Sequence, residues 1–347
     1  MRKLFLVIIL TLCLTQTVSA TEITAPEVPE SGQAYMPNTT DSFTEGLWYV
    51  IRSAVMAVKP SIATAAGLCV SVLAIVLLTS LLQTVTCRTR QLTEIAAAVG
   101  IGIMLLNPIN ALINLGVSTV NNLFEYGKLL IAVMTTAVAA QGSVGTSTAL
   151  YTGTMLFTSL LTAIISKLVV PMLYAYLCLS ILNGAVGEDI LQKLSNFIKW
   201  LITWLLKCVL YIFTGYISIT GVVGGSADAS MVKATKLAIS GSVPVIGNIL
   251  SDASETILVS TGIMKSAAGV YGVLAIAATW IGPFLEIGIQ YLLLKLTAGV
   301  CGLFGAKRIV SLVQDFSAAM GFVVAMICTI SVLLLIGVVC YMKGASA

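Results

Sequence analysis

The chain has 347 residues, of which 58% are hydrophobic and only 9% charged, and its mean hydropathy is +1.04. A soluble domain carries about 25% charged residues, so this composition excludes a water-soluble enzyme, a disordered chain and a nucleic-acid binder, and it is that of a membrane protein. The 18 basic residues against 14 acidic ones leave +4 with no patch large enough for a polyanion, and the lack of any histidine removes His-based acid/base catalysis and most zinc and haem ligation.

Arg2 and Lys3, an apolar run too short to span a bilayer, and Val18-Ser19-Ala20 make a signal-peptide pattern over residues 1–20, with cleavage after Ala20 and a mature N-terminus outside the cell. Residues 21 to 41 are polar and turn-rich, a leader with too little apolar surface to order itself. From Asp41 to Lys59, Phe43, Leu47, Val50, Ile51, Ala54 and Val58 recur at helical spacing opposite Glu45, Arg52 and Lys59. This amphipathic helix closes an extracytoplasmic region 21–60, either lying on the membrane surface or packed as a lid on the protein itself.

Eight stretches are candidate crossings of a hydrocarbon core about 30 Å thick. Ser61 to Val85 and Ile95 to Leu115 form an N-terminal helical hairpin, 61–128, ending in a polar loop at 118–128. Asn107, Asn110 and Asn114 make the second half of the latter span polar, and that face is expected to turn inward. Leu129 to Ala140 is too short for a span and reads as re-entrant. Ala149 to Ser166, Leu168 to Leu182 and Trp200 to Val223 follow in a first membrane unit, 129–225. Ala267 to Ile281, Phe284 to Phe304 and Met320 to Tyr341 follow in a second, 226–347, which opens with an amphipathic segment, 226–266. Starting outside, basic residues then favour the inner side eight to six, a weak positive-inside bias.

The two units share a plan. Pro171 and Pro283 each open a span that runs to a basic loop, Lys193 or Lys307-Arg308, and the next span closes on Gly-Val-Val. The pattern predicts an all-α, polytopic transmembrane helical bundle with an internal repeat, although chance likeness between membrane helices explains the same identities. Three crossings per unit favour inverted repeats, whose interface is a natural pathway.

Few residues offer chemistry. Glu286 stands at the start of an apolar run with Gln290 one turn on, which is either an intramembrane polar site or a carboxylate favoured by the helix dipole after Gly282-Pro283. Pro244 and Gly247 interrupt the backbone before Asp252 and Glu255, whose spacing resembles a capping box. That stretch is either a gate or docking element or an ordinary surface loop. Ala298, Gly302 and Ala306, and likewise Ser317, Gly321 and Ala325, place small residues at spacing four for close helix packing. The cysteines form no C-x-x-C pair and read as apolar fillers. No catalytic residue, metal ligand set or cofactor motif is present, so the chain is expected not to be an enzyme.

The chain resembles the stage III sporulation protein AE family of endospore-forming bacteria. The resemblance rests on Ser226-Ala-Asp-Ala, Lys233-Ala-Thr-Lys-Leu, Val243-Pro-Val-Ile-Gly, Ser251-Asp-Ala-Ser-Glu-Thr-Ile and Gly269-Val-Tyr-Gly-Val, continuing to the last span. It implies a multi-pass component of the mother-cell membrane around the forespore, within a channel or secretion-like complex. The implied partners are the other stage III sporulation A-operon membrane proteins, a forespore-side partner, the lipid bilayer and, indirectly, a secretion-type ATPase, with no nucleic acid. The leader before residue 41 is shorter than the family pattern, which puts contacts made through it in doubt. The alternative is a self-sufficient secondary transporter using the repeat interface.

Overall fold

The computed structural model describes residues 26–37, 43–85, 90–140, 144–242, 247–304 and 307–343, and between 221 and 268 it describes backbone alone. Residues 1–20, read above as a signal peptide, lie outside the described residues. The described chain is all-α: a short helix α1 (Glu30–Gln33), then α2 (Phe43–Val85), α3 (Arg90–Ala140), α4 (Val144–Ile164), a π-helical turn at Ile165–Val169, α5 (Val170–Val186), α6 (Asp189–Ser242), α7 (Gly247–Gly302) and α8 (Lys307–Lys343).

Among the described residues six helical stretches are long and apolar enough to cross a membrane, against the eight crossings read from the sequence. The difference lies where polar residues and prolines suggested breaks. Lys167 and Pro171 do not divide the helix into separate spans, because the π-turn just before Pro171 takes up the missing backbone donor and lets α4 run on into α5. Pro283 lies inside α7. The expected polar loop at 118–128 and the expected re-entrant piece at 129–140 are both helical stretches of α3, because Val120, Leu123, Tyr126, Leu130 and Met134 carry a buried stripe straight through them. At 51 residues α3 is about 75 Å long, well over twice the thickness of a hydrocarbon core.

α5 and α6 run antiparallel, with Asn183 bonded to Gln192 and Tyr176 meeting Lys199 on Asp315, as do α7 and α8, with Gly269 against Met342 and Tyr291 against Ser317. α8 sits at the centre, touching α3, α4, α5, α6 and α7. Its sequence explains the position: Ile309, Leu312, Val313, Phe316, Met320, Val323, Ile327, Ile330 and Leu334 are all at most 1% exposed and form one stripe at spacings of three and four, which buried Ala319, Met326 and Leu333 widen to about half of the helix. Gly116 and Gly127 of α3 bring that helix directly onto Val323 and Leu334, where an added Cβ would have no room. Gly153 does the same for α4 against Tyr216 of α6, whose hydroxyl donates to the Ala149 carbonyl at 2.9 Å. Gly187 ends α5 in the left-handed region, at φ 77°, with the Arg308 guanidinium packed over it.

Three expectations need correction or refinement. The face carrying Asn107, Asn110 and Asn114 turns outward, because Ile101, Leu105, Ile109 and Ile113 take the core side of α3. The leader is partly ordered: Val28 is buried, Gly32 lies against Thr279, Tyr35 lies on Gly282, and Ser31 accepts a bond from Asn122 Nδ2 at 3.2 Å. From Phe43 on, the amphipathic stretch forms the opening turns of α2, with Val50, Ala54 and Val58 buried in the bundle and Trp48 and Tyr49 exposed on the other side.

Candidate functional site

Three helices with internal prolines meet at one cavity. Pro60 of α2, Pro108 of α3 and Pro283 of α7 each remove the donor for the carbonyl one turn back. Ser61, Thr64, Pro108, Ala111, Leu112, Glu286 and Gln290 line a cavity of about 220 Å³ between them, room for several water molecules. Ser61 Oγ donates to Glu286 Oε1 at 3.2 Å. Gln290 is 3% exposed, and its Nε2 is buried with no hydrogen-bond partner. Among the described residues no cation pairs with Glu286. The structure thus brings Glu286 and Gln290 into one polar notch. Its chemistry is that of an oxygen-rich, wettable recess able to take a proton or a hydrated cation.

A second constellation was not singled out from the sequence. Asp315 of α8 is 3% exposed and accepts two bonds on Oδ1, from Lys199 Nζ of α6 at 2.9 Å and from Tyr176 OH of α5 at 2.8 Å. The Lys199 ammonium also stands 5.2 Å from the centroid of the Tyr176 ring. Asp315 Oδ2 and Ser195 Oγ are buried without partners. The signal for this cluster was available: Ile309, Leu312, Val313 and Phe316 extend the apolar period of the last span back across Asp315, which places a carboxylate inside it.

The remaining candidates divide. Pro244 lies outside the described residues. Gly247, Asp252 and Glu255 fall in the first turns of α7 as helix. Ser317 Oγ donates to the Tyr291 carbonyl at 3.0 Å and Gly321 abuts the Tyr291 ring, so that set does bring α8 close to α7. Gly321 and Ala325 also floor a groove toward α6. In the other set Ala298 is buried, Gly302 faces open space and Ala306 lies outside the described residues. The described cysteines are free thiols.

Among the described residues, six long apolar helices packed around a filled centre, with polar groups gathered at two points inside, define a multi-pass α-helical membrane protein. The profile of the family described as "Stage III sporulation protein AE (spore_III_AE)" matches residues 35–345, and the chain belongs to that family. Stage III sporulation protein AE of Bacillus subtilis (strain 168) is 21% identical over 232 residues, which is 67% of this chain and 58% of that protein. The chain thus spans less than two thirds of the length of this curated relative. No solved structure matches the chain.

Proposed function

We propose that the chain is a non-enzymatic membrane subunit of the apparatus that connects the mother cell with the engulfed forespore, seated in the mother-cell membrane and required for forespore development. It works beside the other stage III sporulation A-operon membrane proteins and a forespore-side partner, with a secretion-type ATPase acting on the assembly indirectly. The observation that carries this reading is the family match, which extends over the whole bundle from α2 to α8. The test is deletion in the spore-forming host followed by cross-linked affinity purification of a tagged copy during sporulation. Arrest of spore development, rescue by the tagged copy and recovery of the A-operon proteins are expected. Normal spores, or a tagged chain that rescues yet purifies without those proteins, would overturn the reading.

The cavity at Glu286 favours one second reading, a self-sufficient secondary transporter, because broken or proline-bearing helices around an intramembrane carboxylate are the usual setting of a coupling site. Purified protein in liposomes separates the two. Solute flux without partners that is lost in Glu286→Gln supports the transporter, and silence of the wild type supports the subunit.

A further inference from the structure

A groove of about 470 Å³ opens on the outside of the bundle between α6 and α7, with α8 as its floor. Its lining is mainly apolar: Leu206, Leu210, Ala318, Phe322, Ala325 and Cys328. The size and apolar lining fit a ligand with a long hydrocarbon part. The outer surfaces beside it are apolar as well, since Tyr211 and Ile212 on α6 and Leu292 and Leu296 on α7 are all more than half exposed. On a membrane protein such surfaces face lipid tails.

Two ammonium groups border this apolar recess. Lys207 of α6 lines it directly. Lys295 of α7 reaches it through Tyr291, donating from Nζ to the Tyr291 hydroxyl at 3.1 Å, which leaves the phenolic hydrogen free to donate onward. Among the described residues no carboxylate lies within ion-pair distance of either lysine. An unpaired cation against hydrocarbon is costly unless an anion or water meets it. An aromatic ladder marks the level at which an anion would be found. Phe197, Trp200 and Trp204 are exposed and stack at centroid separations of 5.9 and 6.2 Å, and such side chains collect at lipid headgroups. Lys207 follows Trp204 by one turn, within reach of the headgroup level.

We propose that this groove is a binding site for one anionic phospholipid of the surrounding bilayer, with its phosphate held by Lys207 and by the Lys295–Tyr291 pair and an acyl chain lying along Leu210, Ala325 and Cys328. The charge decides the lipid class. Two cations with no internal anion select phosphatidylglycerol or cardiolipin over a zwitterionic lipid, whose own ammonium would bring a third positive charge to the site.

The full chain, purified in mild detergent, is titrated with phosphatidylglycerol and, separately, phosphatidylethanolamine, and the bound lipid is counted by native mass spectrometry. Wild type is expected to retain phosphatidylglycerol preferentially. The Lys207→Gln/Lys295→Gln double variant should lose roughly tenfold in that retention, while Lys207→Arg/Lys295→Arg and the exposed Lys193→Gln keep it. Ala325→Phe, which fills the floor, should reduce retention of both lipids. Equal retention of the two lipids by wild type, or unchanged retention in the double glutamine variant, would overturn the proposal. So would a dimer mass that Ala325→Phe abolishes, which would make the groove a contact between copies. Should Ala325→Phe elute as aggregate, the glutamine and arginine pairs decide alone.

Discussion

The Asp315 cluster is asymmetric in a way that predicts its mutational behaviour. Asp315 is nearly sealed, whereas the Lys199 side chain retains 29% of its exposure. Removing the lysine strands a carboxylate inside the bundle with only the Tyr176 hydroxyl to hold it. Removing the carboxylate's charge leaves Tyr176 its acceptor and lets the lysine turn outward. Lys199→Met should therefore destabilise by about 3 kcal/mol and Asp315→Asn by about 1 kcal/mol, with the double variant recovering some of the first loss. Thermal unfolding in detergent reads the order, and equal or reversed losses would show that the pair does not hold α6 to α8. Read from sequence, Lys199 belonged to a loop and Asp315 to the approach of a span that began at Met320. Neither residue type announces a partner more than a hundred positions away, and only the bundle's topology brings the two together.

At the level of single helices, local periodicity was readable and the meaning of its interruptions was not. The buried stripe of α3 follows its apolar positions through a stretch rich in Asn, Ser and Glu, because tertiary packing on α8 outweighs local polarity. The same packing sets which way the polar residues look. Asn107, Asn110, Asn114, Ser118, Asn121, Glu125 and Lys128 are all exposed and recur every three or four positions, a continuous polar ridge on the outer side of α3. A ridge of this kind belongs to water. Cysteine placed at Asn114 or Asn121 should react quickly with a membrane-impermeant maleimide, while cysteine at the exposed apolar Ile103 should be protected in membranes and react once detergent is added. Protection at both Asn positions would mean that lipid or another protein covers the ridge. The cavity at Glu286 was half legible: the carboxylate and its glutamine stood out on one helix, but Ser61 and Pro108 join them only through the pairing of α2, α3 and α7.

For the molecule as a whole, the six-helix order changes which ends face together. Alternation of six crossings puts the α2–α3, α5–α6 and α7–α8 joins on one side, bordered by Arg90, Lys193, Lys307 and Arg308. On the other side the short join at 141–143 carries no charge in the sequence, and the long stretch between Ile217 and Gly269 carries Lys233, Lys236 and Lys265. Positive charge in short connections favours the cytoplasmic side. Impermeant labelling of single cysteines should accordingly find Leu92→Cys and Lys193→Cys on one side and Val144→Cys on the other. The eight-crossing order places residues 92 and 193 on opposite sides, so that result would restore it.

The central position of α8 carries a last implication for how anything could pass through this protein. Five neighbouring helices pack on α8, whose buried side chains run from Ile309 to Tyr341, so a single copy is plugged by its own middle strut. To open a bore there, α8 would have to shed contacts with nearly the entire rest of the fold at once. Cargo would meet far less resistance along the outer flanks, and a conduit built with this subunit would run past it or between several of them.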